Sequence, residues 1–324
     1  MDFNSIVNLN EFPLTVKWRI TNCCNYNCSY CLRKNKRDNI ENYKRDEQTV
    51  INTIPKLAKI IREKNVDTKI ELIGGEVSLF NLEDIIERLY NEIPNNLKRI
   101  SFISNLSKSA EYYNDLIDVC TKHNIELSIV ASFHYEFTTL DNFFEKIKKL
   151  NFNDHFLFKV EMVSTRNNLE QVNELIKRCE ENNIIYLIDA DCNETDISGL
   201  IVETSENKKD EYKISYDDHT EYCKSLRGLV KKYGDYKTIP LRGYLCTLDY
   251  DYFRVDYDYH IGFVDGMKGC KNAEPLEAFR LNKYPSYCHK GCSLCGAMSV
   301  FKDYEEFTKN YNKQGGVHGE KQTN

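Results

Sequence analysis

The chain has 324 residues, a net charge of −6, 41% hydrophobic residues and 13 cysteines, which is enough apolar content for one large folded domain or two. The acidic balance argues against general nucleic-acid binding, and no apolar run approaches the ~20 residues of a membrane span. The polar stretch from Met1 to Asn10 lacks the apolar region of a secretion signal, so a cytoplasmic protein is expected.

Residues 1–13 read as a short extension, and residues 14–189 as alternating strands and helices. The first strand, Leu14 to Ile20, sets Val16, Trp18 and Ile20 on one face and Lys17 and Arg19 on the other. A cysteine-rich loop follows it directly. A charged stretch, Arg33 to Arg45, leads to a helix over Asp46 to Lys64 with the stripe Val50, Ile54, Leu57 and Ile61. Pro55 is expected to break that helix. Strand two, Lys69 to Ile73, ends in Gly74-Gly75-Glu76, after which Asn81 caps a helix.

The pattern repeats. Strands are expected over Arg99 to Ser104, Glu126 to Ser132, Phe156 to Val163 and Ile184 to Asp189. The helices between them run over Ser109 to His123, Leu140 to Leu150 and Leu169 to Asn182. Six βα units imply a parallel sheet, and right-handed crossovers would curl it into an open, partial (βα)6 barrel of the TIM type. Sites on such barrels lie at the C-terminal strand ends, where the cysteine loop and Gly-Gly-Glu both fall.

Residues 190–240 are polar and read as a linker or insertion, with one helix around Glu221 to Lys232. Residues 241–312 read as a small cysteine-rich extension. Its tyrosine-rich run, Leu241 to Val264, turns near Asp256 to Tyr259 into a β-hairpin bracketed by Cys246 and Cys270. A last helix, Lys302 to Tyr311, precedes a polar tail over 313–324 that is expected to be disordered.

An odd cysteine count excludes a complete disulfide framework, and clustered cysteines in a reducing compartment point to metal. One cluster holds Cys24, Cys28 and Cys31 as C-x3-C-x2-C, with Tyr30 before the last thiol. Three thiolates on one loop suit zinc or iron–sulfur, and with no obvious fourth ligand they leave a position open. The second cluster is Cys246, Cys270, Cys288, Cys292 and Cys295, which suffices for one four-cysteine centre with one spare. Cys246, Cys270, Cys292 and Cys295 are the preferred set, with Cys288 the substitute. A structural zinc on the same ligands is the alternative. Cys120 and Cys179 sit on apolar helix faces and read as core.

The first array resembles the signature of the radical SAM superfamily, and Ile73-Gly74-Gly75-Glu76-Val77-Ser78-Leu79 resembles that family's Gly-Gly-Glu-like motif. The resemblance implies that Cys24, Cys28 and Cys31 hold three irons of a 4Fe–4S cluster whose fourth iron chelates S-adenosylmethionine. It also implies that Gly74, Gly75 and Glu76 meet the methionyl amino group. Ser104, Asn105, Ser132, His134 and Glu161 at later strand ends are further cofactor candidates, and Arg166 is matched to the methionyl carboxylate. Lys159 and Glu161 alternate with apolar neighbours and should face the barrel interior. The late cysteines resemble the SPASM and twitch extensions, which hold auxiliary 4Fe–4S clusters. The implied function is a radical SAM oxidoreductase or modifying enzyme served by an electron donor such as flavodoxin or ferredoxin. A peptide or protein substrate is favoured, although the chain leaves no room before strand one for a peptide-recognition domain. A small sugar, a nucleotide or RNA is the alternative substrate, and a non-catalytic zinc or iron–sulfur protein the alternative class.

Overall fold

Alternation along each strand decides the architecture. In the computed structural model, which describes residues 13–31, 38–191, 199–201, 203–205, 245–246, 249, 252–256, 260–261, 274–282, 286–287 and 300–301, strand β1 runs Leu14–Thr21. Leu14, Val16, Trp18 and Ile20 are fully buried on one side of it. The chain then alternates helix and strand: α1 Tyr43–Lys64, β2 Thr68–Gly74, α2 Leu82–Glu92, β3 Leu97–Ser104, α3 Ala110–Lys122 and β4 Glu126–Phe133. It continues with α4 Leu140–Ile147, β5 Phe156–Ser164, α5 Leu169–Glu181 and β6 Ile185–Ala190. Each of β1 to β5 pairs in parallel with the next. The helical face is apolar throughout: Ile70, Leu72, Ile100, Phe102, Leu127, Ile129, Val160, Met162 and Ile188 all lie in one core with the helices' inner stripes.

The opposite face is mixed, with polar and charged residues set among apolar ones such as Ile73, Val130 and Leu187. Cross-strand register aligns Lys17 with Glu71, Glu71 with Ser101 and Ser101 with Ser128. Higher up, Val130 aligns with Lys159 and Ser132 with Glu161. Parallel sheets buried on both faces carry continuous apolar strands, so this alternation marks a face that is not core. Lys159 is buried there and Glu161 half-buried, as the alternation on strand five implies.

Two features depart from expectation. Helix α1 continues through Pro55 without a break. Proline removes one backbone hydrogen bond, but Val50, Ile54, Leu57 and Ile61 are buried on both sides of it, and packing over two further turns holds the helix together. The tyrosine-rich hairpin does form, from β9 Tyr252–Val255 and β10 His260–Ile261. It lies not on a separate extension but on the main sheet, where β9 runs parallel to β1 with Thr15 against Tyr252 and Trp18 against Val255. Strand β11, Glu274–Pro275, follows β10, while β7, Glu203–Thr204, closes the other edge antiparallel to β6. The ten-stranded order is β11-β10-β9-β1-β2-β3-β4-β5-β6-β7. It is an open row, and β7 and β11 do not pair with each other among the described residues.

Strands β8 Leu245–Cys246, β12 Ser286–Tyr287 and β13 Val300–Phe301 form a second, antiparallel sheet with β8 central. Cys246 is thus in register with Ser286 and Val300, not on the hairpin. Cys270, Cys288, Cys292 and Cys295, most of 190–240, the expected helices at 221–232 and 302–311 and the tail lie outside the described residues. Cys120 and Cys179 are fully buried on α3 and α5, and burial pushes both thiols up to about 12. No helix among the described residues is long and apolar enough to cross a membrane.

The join between β1 and β9 is sealed by a buried ion pair. Arg19 Nη1 donates to both carboxylate oxygens of Asp256, at 2.9 and 3.0 Å, and the two side chains are 5% and 1% exposed. Removing one member of such a pair leaves a charge with no water to solvate it, at a cost of about 3–5 kcal/mol. Asp256→Asn should therefore lower stability by that order in urea unfolding. A loss under about 1 kcal/mol would show that the pair does not hold the two strands together.

Candidate metal and cofactor site

The loop after β1 is built from the strand outward. The Thr21 hydroxyl donates to buried Asp46 in the first turn of α1 (2.8 Å) and accepts from the Cys23 amide (2.9 Å). Cys23 is fully buried, its sulfur 3.3 Å from the Asn39 carbonyl and 3.7 Å from Asp46, and burial raises its thiol. It faces α1 and the residues just before it. Cys24, Cys28 and Cys31 occupy the rest of the loop: Cys28 is buried and the other two are half-buried. The Tyr26 amide donates to the Cys24 sulfur (3.4 Å), and the Cys31 amide to the Cys28 carbonyl (3.3 Å). Among the described residues no three His, Cys, Asp or Glu side chains converge on a single ion.

Gly74 and Gly75 touch this loop directly. The Gly75 amide donates to the Thr21 carbonyl (3.1 Å) and the Glu76 amide to the Cys23 carbonyl (2.8 Å). A Cβ on Gly74 would fall 2.3 Å from the Thr21 oxygen, and one on Gly75 only 2.0 Å from the Cys23 oxygen. The glycines are thus required by the cysteine loop's own backbone, before any ligand is considered.

Glu76 is buried beneath them. Its Oε1 accepts from the Ser78 amide (3.0 Å) and the Ser104 hydroxyl (2.8 Å), and its Oε2 from the Asn105 amide (2.7 Å). Burial raises its pKa, and these three donors oppose the shift. The carboxylate ties the end of β2 to the end of β3, and it uses three of about four lone-pair sites in doing so. Ser104 also meets the Tyr113 hydroxyl (3.0 Å), while the Asn105 amide group reaches Asn25 in the cysteine loop (2.9 Å).

From the other side the loop is clasped by the turn after β4. His134 Nδ1 lies 3.3 Å from the Cys28 sulfur and 2.9 Å from the Tyr30 hydroxyl. Tyr30 stacks on Tyr135 (5.5 Å, 12°) and Tyr26 on Phe137 (4.5 Å, 7°). Glu136 takes the Ser29 amide (2.8 Å) and the Ser29 hydroxyl. Burial raises the phenols of Tyr26 and Tyr30. Strands β1 and β4 are three places apart in the sheet, about 14 Å at ordinary strand spacing, so the loop spans the mouth above β2 and β3.

Ten of the residues picked out in the sequence are therefore brought together: Cys24, Cys28, Tyr30, Cys31, Gly74, Gly75, Glu76, Ser104, Asn105 and His134. Ser132 and Glu161 pair with each other one layer down, on the polar face. Arg166 is exposed in the turn between β5 and α5. Cys246 belongs to the second sheet. The sequence reading missed Asn25, Tyr26, Ser29, Tyr135, Glu136 and Phe137. The signal available for them was the aromatic density of Phe133-His134-Tyr135-Glu136-Phe137 just past a strand end.

Neither a protein-family model nor a curated protein matches the chain. Among solved structures, twelve chains do. One, described as native anSMEcpe with bound AdoMet, is 15% identical, with a TM-score of 0.50 over 83% of this chain and 80% of that one. The likeness is one of fold.

Two outcomes follow from this geometry. Gly75→Ala should push the Cys23 carbonyl aside, costing roughly 1–3 kcal/mol in denaturant unfolding. An unchanged unfolding midpoint would mean that the loop yields freely. For Glu161, burial is the main cause of a pKa raised to about 7, the Ser132 hydroxyl opposes it and Asp189 adds to it. A carboxyl raised above its unfolded value contributes stability that is complete below the unfolded pKa and lost as pH rises through the folded one. Glu161→Gln should match the parent's melting temperature near pH 4 and exceed it above about pH 7. A gap that stays constant over that range would remove Glu161 from the buried acids.

Proposed function

We propose that the chain is a radical S-adenosylmethionine enzyme. The observation that carries this reading is the division of labour among four neighbouring cysteines. Cys23 is turned into the core, while Cys24, Cys28 and Cys31 stay on a loop across the C-terminal strand ends, strapped to Gly74-Gly75-Glu76. Three thiolates on one loop suit a 4Fe–4S cubane, in which each binds a different iron. The fold is shared with a structure that holds AdoMet, and this supports the same cofactor here.

Cys24, Cys28 and Cys31 would hold the cluster, and AdoMet would take its remaining iron. When bound, the two cofactors supply a hydrogen-abstracting 5′-deoxyadenosyl radical, made by one-electron reduction of AdoMet with loss of methionine. The chain's own part is binding, orientation and exclusion of water. The backbone at 74–76 is suited to the methionyl amino group, and Glu76 keeps that backbone in place. Ser132 and Glu161 offer a hydroxyl and a carboxyl to a ribose, and Arg166 a guanidinium to the methionyl carboxylate. The polar inner face below supplies the substrate chamber, with a peptide or protein favoured over a sugar or nucleotide. A reduced flavodoxin or ferredoxin supplies the electron.

A second, closed 4Fe–4S centre is proposed on four of Cys246, Cys270, Cys288, Cys292 and Cys295. Pairing of β8 with β12 supports it, because it sets Cys246 against Ser286, two positions before Cys288 in the chain.

Anaerobically reconstituted protein should contain about two clusters' worth of iron and sulfide and, with dithionite, release 5′-deoxyadenosine from AdoMet. Changing Cys24, Cys28 and Cys31 together to Ala should abolish that release and leave about one cluster. Cys23→Ala should leave it largely intact. Zinc without sulfide in the parent protein would sink the enzyme reading. Loss of AdoMet cleavage in a well-folded Cys23→Ala variant would shift the ligand set.

A further inference from the structure

Cys28, Tyr30 and His134 meet at one point. His134 Nδ1 is 3.3 Å from the Cys28 sulfur and 2.9 Å from the Tyr30 hydroxyl, which is itself bonded to that sulfur. The imidazole has little freedom to turn away. Tyr26 meets it edge-on (5.7 Å, 85°) and Tyr30 lies nearly parallel to it (6.1 Å, 16°). The His134 carbonyl accepts from the amides of Phe137 (3.0 Å) and Thr138 (3.2 Å), which fixes the backbone of the turn.

On the reading that Cys28 binds iron, its sulfur is a thiolate with no proton to give. A lone pair on Nδ1 at 3.3 Å would repel it; with the Tyr30 hydroxyl giving its own hydrogen to the sulfur, the Nδ1 that faces both carries the second hydrogen. Hydrogen bonds to cluster sulfurs withdraw electron density and stabilise the reduced, more negative cluster. A donor on one buried sulfur therefore acts on the same step that an external electron donor must drive.

We infer that His134 is a positioning residue for the cluster: it donates Nδ1–H to the Cys28 thiolate and raises the cluster's reduction potential. This role differs from a contact with AdoMet.

The test compares His134→Leu, which removes the donor, with His134→Asn, whose side-chain amide returns an N–H near the Nδ1 position. The potential of the AdoMet-responsive cluster is read by redox titration of full-length reconstituted protein, followed by electron paramagnetic resonance without AdoMet. Leucine should lower the equilibrium constant for reduction about tenfold, which is about 59 mV for a one-electron couple, and asparagine should stay near the parent value. A leucine variant with the parent's potential overturns the inference, as does an asparagine variant that falls as far as leucine. If leucine fails to load iron while asparagine loads it, the need for a donor is read from loading itself. If neither loads, shape and not the N–H is what matters, and the inference fails. A parent protein that loads no iron counts against the proposed function instead.

Discussion

The approach of β2's end to the loop after β1 governs everything above it. Two carbonyl oxygens, those of Thr21 and Cys23, occupy the space where Gly74 and Gly75 would otherwise carry side chains. That contact brings the amides of Gly75 and Glu76 onto those same oxygens. It also sets Glu76 where it can gather the donors at the end of β3. Three strand ends and a ten-residue loop thus become one hydrogen-bonded unit, with the half-buried thiols on its outer side. At its centre the Glu76 carboxylate is satisfied by Ser78, Ser104 and Asn105, and a buried carboxylate that lost such partners would be costly to keep.

The same economy explains the polarity of the sheet. One face of every central strand is given to the helices, and the other carries Lys17, Glu71, Ser101 and Ser128 in one aligned row, with Lys159 and Glu161 further along among apolar neighbours. Arg99 and Glu126 pair there as well. A face of this kind is expensive unless it is used, since apolar residues would pack it more simply. It offers charge and hydrogen bonding to whatever enters from the strand ends, directly beneath the cysteine loop.

How much of this was legible in the sequence follows from how local each feature is. The six parallel strands and their helices were, because period-two and period-3.6 patterns are written in neighbouring residues. The cap Asn81 was legible for the same reason. The cysteine array and Gly-Gly-Glu were found, but the physical reason for the glycines was not: no spacing rule reveals that a carbonyl from residue 23 sits against residue 75. The clasp by Tyr135, Glu136 and Phe137 depends on the loop crossing over β2 and β3, which is a tertiary fact. Pro55 was over-weighted, since its local penalty is small beside the packing of a 22-residue helix. The partner of β9 was missed because a four-residue strand carries no mark of which edge it joins.

That last pairing has a consequence for how the chain assembles. β1 precedes the other described strands in the chain, yet its outer edge is covered by β9, and Arg19 waits for an aspartate 237 residues further on. Until the ribosome has delivered that segment, the outer edge of β1 has no strand to pair with, and such an edge is open to pairing with other chains. Contacts of such sequence separation form late and slow folding. The end of the sheet that carries the cysteine loop is therefore completed only by a segment 237 residues further along the chain.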